Sequence, residues 1–481
     1  MEKRVDSLKY KTKKGLYWKF TEQFAGYAMQ FIVGIIMARL LSPHDFGTAA
    51  LPAVFLTIAQ VFVDGSFGLA LIRKSEVTEK DLSTSFYYGI VVGIVCYVIL
   101  FFCSPYIACF YNEPILESLV RVTALTFLLN PLYTPQSVIL NRQLDFKTPA
   151  KIQMIVQFIS GIAGIATAYA GYGIWSLVVA SVLSSVLKLF ITWFFVKWYP
   201  REHFSKDSFK YLWNFGNKLM VVQFLQTLYA NIIPLIVGKS YGTRDLGLLN
   251  RAKSFASIPS SNLGSVLSQV TFPVLSKLQS DNELLGRNYR KMIRVSSFLV
   301  FPLMMLMCAL AKPLIVALVT DKWIDCVILL QIMCFTYMFQ PAQILNLNLL
   351  QVKGRTELTM KLELFKKSFF TVAIIIAVQY GLIVLCVVDF FLTMIALFIN
   401  TYYTGKLIHV GYMKQMRDML PHFVLSVITL MIIYIFIGLF SNEWLQLVLG
   451  GVVGLVFYFA LAWLLRFEEF ADLKYMLNRH E

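Results

Sequence analysis

Apolar runs of about 20 residues recur along the 481-residue chain, separated by short charged or turn-forming stretches. A helix of that length, rising about 1.5 Å per residue, crosses about 30 Å of hydrocarbon. Inside hydrocarbon every backbone N–H and C=O needs a partner within the protein, so only helices or a closed barrel can span it. Ten-residue segments of alternating polarity, which a barrel wall requires, are not found in the sequence. With 58% hydrophobic and 15% charged residues, and a mean hydropathy of +0.67, the apolar surface exceeds what a soluble interior of this size could hold. The pattern predicts an all-α integral membrane protein.

Punctuation between the runs predicts fourteen transmembrane helices, among them Gly15–Leu41, Phe46–Ile72, Phe209–Gly238, Leu246–Leu275, Leu358–Gln379 and Trp444–Leu465. Lys and Arg set the orientation, because translocated short loops are poor in them. With the N-terminus in the cytoplasm, 32 of the 43 basic residues fall in cytoplasmic segments and six within spans. Only Arg39, Lys239, Arg244, Lys312 and Lys322 lie in external loops. Both termini are therefore expected in the cytoplasm. The net charge of +16 is spread between spans as topology determinants are. Nothing resembling a nucleic-acid-binding module accompanies it, so nucleic acid is not an expected partner. The seven cysteines include no Cys-x-x-Cys pair and read as small apolar fillers.

An internal repeat organises the spans. Arg39–Gly47 aligns with Lys239–Gly247 at an offset of 200, sharing an Asp-x-Gly (Asp45 and Gly47, Asp245 and Gly247). Gln23-Phe24 aligns with Gln223-Phe224 at the same offset, and Tyr172–Leu177 with Tyr380–Leu385 at 208. A block with an even number of helices repeats in the same orientation, as two parallel lobes about an axis along the membrane normal. The expected organisation is a basic N-tail (1–14), an N-lobe of helices one to six (15–200) and a C-lobe of helices seven to twelve (201–408). Helices thirteen and fourteen follow with a C-tail (409–481). Two such lobes imply a cleft between them and a carrier that works by alternating access.

Charge inside a bilayer costs about 2.5–3.5 kcal/mol per group on insertion scales, so intramembrane ions are candidates for function. Lys19 and Lys218 occupy near-equivalent places in the first helix of each lobe. Either they snorkel to the headgroups or they line the cleft. Arg251 and Lys253 open helix eight, which continues through Ser257, Pro259, Ser261 and Asn262 and is too polar to face lipid. Its N-lobe equivalent carries Pro52, Gln60 and Asp64. Gln60, Ser257, Ser261 and Asn262 are the expected lining of a wet cavity. A cationic patch of Arg251, Lys253, Lys218 and Lys19 would suit an anionic group such as a pyrophosphate; the alternative for Arg251 is a headgroup contact. Glu22, one turn after Lys19, either pairs with it or, like Asp64 and Asp389, binds a proton or sodium ion that drives transport. The sequence has no metal-ligand spacing and no phosphate-binding lysine loop, which predicts a transporter rather than an enzyme, with no cofactor and no metal. Coupling would come from a proton or sodium gradient or the membrane potential.

The stretch from Met37-Ala-Arg39 through Ser42-Pro43-His44-Asp45-Phe46-Gly47, then Asp64-Gly65-Ser66-Phe67-Gly68 and Leu71–Lys74 to Leu82–Phe86, resembles the Wzx-type polysaccharide flippases. The likeness is strongest to the colanic-acid exporter branch of the multidrug/oligosaccharidyl-lipid/polysaccharide superfamily. It implies a fold like that of the lipid II flippases and the multidrug exporters of that superfamily, in the bacterial inner membrane. The implied substrate is an undecaprenyl-pyrophosphate-linked oligosaccharide, carried from the cytoplasmic to the periplasmic leaflet for O-antigen, capsule or exopolysaccharide synthesis. A polysaccharide polymerase and a chain-length regulator would be its partners, and the chain itself would act as a monomer among membrane lipids. The alternative within the superfamily is a cation-coupled multidrug or other lipid exporter. A membrane-embedded polymerase or ligase would need a large catalytic loop that the sequence lacks.

Overall fold

A computed structural model describes residues 26–470, with the side chains of 262, 265–270, 273–274 and 356 excluded. No strand occurs among the described residues. The chain winds through α1 (Gly26–Leu40), α2 (Pro43–Asp64), α3 (Phe67–Arg73), α4 (Glu79–Tyr111), α5 (Ile115–Thr123), α6 (Thr126–Leu129) and α7 (Thr134–Arg142). It continues with α8 (Lys147–Tyr169), α9 (Trp175–Phe195), α10 (Lys206–Ala230), α11 (Ile232–Ser240) and α12 (Thr243–Lys277). The remaining helices are α13 (Asn282–Ala309), α14 (Ala311–Val319), α15 (Cys326–Met338), α16 (Gln340–Val352), α17 (Thr356–Ala377), α18 (Leu382–Ile408), α19 (Tyr412–Ile437) and α20 (Glu443–Leu464).

Among the described residues eleven helices, some joined from two short ones, are long and apolar enough to cross a membrane. The sequence predicts fourteen, and the difference has a physical source. The first span is described only from Gly26, while α12 and α17, at the places of the eighth and eleventh, carry too many polar residues to register as apolar. Large apolar side chains stand exposed along α4 (Val91, Ile94, Phe102), α9 (Phe190, Phe194), α18 (Phe391, Phe398) and α20 (Val452, Val456). A hydrocarbon solvent makes such exposure cost nothing.

The chain forms two compact units, Met1–Gly247 and Leu248–Glu481. The first therefore takes in α10 and α11, which pack on α2, α3 and α4, although the sequence repeat begins at these helices. In it α8 and α9 lie side by side, with Gly161 facing Val33 and Gly164 facing Ala180. In the second unit α13 is the core helix: 72% of its most apolar stretch is buried within the protein. It lies along α19, and α20 closes over α14 and α13. Helices thirteen and fourteen of the sequence thus complete the core of this unit. Gly450 and Gly454 sit against Leu310, Ile433 and Leu306, the close helix packing that small residues permit. At one end Arg290 grips Asp418 with two 2.7 Å hydrogen bonds. Nearby, Arg294 meets Glu468 and Glu469, and His422 lies 3.7 Å from Glu469.

Candidate functional site: a broken helix beside a polar cavity

The second span begins with a capping box. The Ser42 hydroxyl accepts from the Asp45 N–H, the Asp45 carboxylate accepts from the Ser42 N–H, and Pro43 supplies a first-turn residue with no N–H to satisfy. Gly47 then lies against the start of α12. A Cβ on Gly47 would stand 1.6 Å from the Thr243 carbonyl oxygen, and one on Gly247 would stand 1.9 Å from the Pro43 carbonyl oxygen. The two copies of the Asp-x-Gly motif therefore meet backbone to backbone, which only glycine allows. Glu113 ties the junction, accepting from the Thr243 hydroxyl at 2.8 Å and pairing with the His44 ring at 3.0 Å.

Twenty residues on, the span breaks. Gly65 and Ser66 both adopt left-handed backbone (φ 52° and 56°), and the chain restarts as α3. The freed Phe62 carbonyl accepts a 3.1 Å hydrogen bond from the Tyr88 hydroxyl, and α10 passes close because Gly216 presents no side chain to the Gly65 carbonyl. At the far end of α3 the Arg142 guanidinium donates to the carbonyls of Leu71 (2.7 Å), Lys74 (2.5 Å) and Ser75 (2.9 Å). A helix end left without intrahelical partners is thereby satisfied. Broken helices are tolerated at membrane depth only where protein or a wet cavity meets the opened backbone.

Such a cavity opens beside the break, with a volume of about 660 Å³, within the first unit. Thr57, Gln60, Asp64 and Ser66 of the broken span line it, with Thr134, Ser137 and Asn141 of α7, and Gln223, Thr227 and Asn231 of α10 and its end. A polar chain runs into it. The Tyr133 hydroxyl donates to Asn130 (2.9 Å), the Asn130 amide to the Gln60 carbonyl oxygen (3.1 Å), and the Gln60 amide to the Asp64 carboxylate (2.7 Å). Asp64 sits in the last turn of α2, the end where the helix dipole opposes an anion. The Gln60 hydrogen bond and the charge of Lys188, which stands 5.2 Å from the Tyr133 ring, offset that.

Lys19 and Glu22 lie outside the described residues, as does the Asn262 side chain. Lys218 is exposed on α10 and is not among the residues lining the cavity. In the second unit the Arg251 guanidinium packs against Trp323 (5.3 Å) and Phe255 (5.9 Å). Lys253 is exposed and acts electrostatically on Asp389 of α18. Two residues apart on a helix is a turn of about 200°, so Arg251 and Lys253 do not converge. Ser257 donates to the Ser254 carbonyl, Ser261 is half-buried, and buried Ser260 donates to the Tyr337 carbonyl at 2.6 Å.

Several polar groups were not anticipated. Asn130 and Tyr133 join the cavity's polar chain, and their signal was the pair of prolines, Pro131 and Pro135, that break the fourth span. In the second unit the buried Lys366 bonds to Glu363 and to Asn400 (3.0 Å), and Asn400 bonds to Gln343. That cluster ties α16, α17 and α18 together.

Comparison with known proteins fits this architecture. Over 436 residues the chain is 25% identical to the lipopolysaccharide biosynthesis protein WzxC of Escherichia coli (strain K12), covering 89% of the chain and 88% of WzxC. It is 26% identical over 370 residues to the teichuronic acid biosynthesis protein TuaB of Bacillus subtilis (strain 168), covering 76% of each. The fold is similar to that of the lipid II flippase MurJ, whose solved structure is of an inward closed conformation: TM-score 0.73, 16% identity, covering 95% of this chain and 99% of MurJ. Residues 36–328, from within the first span through the polar cavity to the start of the tenth, match the polysaccharide biosynthesis protein family, and the chain belongs to that family of multi-pass membrane proteins.

Proposed function

We propose that the chain is a flippase that carries an undecaprenyl-pyrophosphate-linked oligosaccharide repeat unit from the cytoplasmic to the periplasmic leaflet of the bacterial inner membrane, by alternating access. The observation that carries this reading is the polar cavity beside a broken transmembrane helix: a hydrophilic headgroup crossing hydrocarbon needs a lined, wet compartment. The names of WzxC and TuaB supply surface-polysaccharide synthesis, and that of MurJ supplies a lipid-linked cargo. The Lys and Arg asymmetry supports cytoplasmic termini. Lys218 and Lys253, whose side chains are exposed, are the described candidates for holding the pyrophosphate, while Arg251 anchors its helix on aromatic rings. Transport proceeds without hydrolysis, with Asp64 as the leading described candidate for a coupling proton or sodium ion.

A second reading rests on one observation: among the described residues lining the cavity Asp64 is the single charged one, which would suit an organic cation. Purified protein in proteoliposomes separates the two. The proposed function predicts protected delivery of a fluorescent lipid-linked oligosaccharide to the opposite leaflet. Export of organic cations with no movement of the lipid would replace it.

A further inference from the structure

The cavity's lining has the wrong chemistry for the phosphate end of the proposed cargo. A pyrophosphate needs converging donors and positive charge; among the described residues the lining supplies a carboxylate and no Lys or Arg. What it does supply is amides (Gln60, Asn141, Gln223, Asn231) and hydroxyls from Thr57, Ser66, Thr134, Ser137 and Thr227, with Val61, Leu69, Ile72 and Val138 between them. Amides and hydroxyls both donate and accept, as sugar hydroxyls do, whereas a carboxylate only accepts. The apolar patches match the C–H faces of a pyranose ring. The Gln60 amide already occupies one oxygen of Asp64, leaving Oδ2 as an acceptor for a ligand hydroxyl or ammonium. At about 660 Å³ the space lies within the range of small-molecule sites and admits a few hexose rings.

We infer that the cavity of the first unit is the glycan compartment, that it selects uncharged or amine-bearing sugars, and that Asp64 is the specificity-determining residue that rejects an acidic sugar at this position. This rests on the flippase reading. The phosphate end is held elsewhere. An acidic sugar placed here would set two carboxylates together, more negative charge than the one nearby Lys188 offsets, and like charges at close range repel.

The test is equilibrium binding to the full chain in nanodiscs, without an ion gradient, so that coupling does not enter. Three probes are compared: undecaprenyl pyrophosphate bearing a neutral trisaccharide, the same lipid with one hexose replaced by a hexuronic acid, and undecaprenyl pyrophosphate alone. The wild type should bind the neutral probe tightest. In Asp64→Asn the neutral probe should weaken by about tenfold, the loss expected for a charge-assisted hydrogen bond, while the uronate probe strengthens. Asn141→Leu and Gln223→Leu should weaken both glycan probes and leave the bare lipid unchanged. If Asp64→Asn shifts all three probes equally, or if the wild type binds the bare lipid as tightly as the trisaccharide, the glycan compartment is overturned while the flippase reading stands. Failure of the wild type to bind any of the three overturns both.

Discussion

Replacing Gly65 by alanine probes the break in the second span directly. Two costs add. An L-residue held at φ 52° costs about 1–2 kcal/mol. The new Cβ would also stand 2.6 Å from the Tyr88 ring, and that ring cannot swing aside. It stacks on Phe67 at 4.2 Å, packs near Phe209 and Trp213, and donates its hydroxyl to Phe62. Overpacking of such a site costs about 1–3 kcal/mol, so Gly65→Ala should lose about 2–5 kcal/mol in all. Gly65→Asn, whose side chain tolerates left-handed backbone, should retain the steric cost and lose most of the conformational one. Tyr88→Ala would be destabilising alone, yet combined with Gly65→Ala it should show favourable coupling of about 1–3 kcal/mol, because the clash is gone. Reversible unfolding from mixed micelles by increasing SDS measures each corner of the cycle. A Gly65→Ala protein as stable as wild type would mean that α2 continues through residue 65 and the break does not exist. Zero coupling with Tyr88 would remove the steric half of the argument.

Other predictions follow from the same geometry. Arg142→Ala strips donors from the carbonyls of Leu71, Ile72, Lys74 and Ser75 at and just past the end of α3 and should cost about 2–4 kcal/mol. Hydrogen exchange at residues 70–75 should accelerate, and Arg142→Lys should not rescue it, since an ammonium lacks the planar fork. Gly47→Ala and Gly247→Ala should each prevent the α2–α12 backbone contact, seen as a lower thermal midpoint and poor recovery of folded protein. Lys366→Met leaves Glu363 and Asn400 without their ammonium partner and should destabilise by about 1–3 kcal/mol, with Glu363→Gln recovering part of the loss. Burial pushes the Glu469 carboxyl up, but His422, the local backbone and Arg294 outweigh it and hold the group below its ordinary value of 4.5. A lowered folded value means this contribution is complete above 4.5 and fades as pH falls through the folded value. Stability of Glu469→Gln should accordingly fall less steeply than wild type in that acid range, by thermal unfolding across pH.

Much of the molecule was legible in its sequence because lipid is so restrictive a solvent. A backbone in hydrocarbon must bond to itself, so apolar runs could only become helices. The repeat of Asp45 and Gly47 in Asp245 and Gly247 was visible as a pattern. Only the structure showed the reason, that the two glycines touch. The sequence suggested one cationic patch holding Arg251 and Lys253, although a helix sets residues two apart about 200° from each other, and their different surroundings, Trp323 for one and the charge of Asp389 for the other, depend on helices far along the chain. The cavity is the clearest case of what tertiary structure decided. Gln60 was expected to line a cavity, but Asn141 and Gln223, which join it there, carry no such signal on their own helices. They become one site because Gly65 and Ser66 break the second span, Pro131 and Pro135 interrupt the fourth, and Gly216 lets the seventh approach. The apolar periodicity of the sequence determined that helices would form and span; the close approaches between their backbones decided where polar groups could meet.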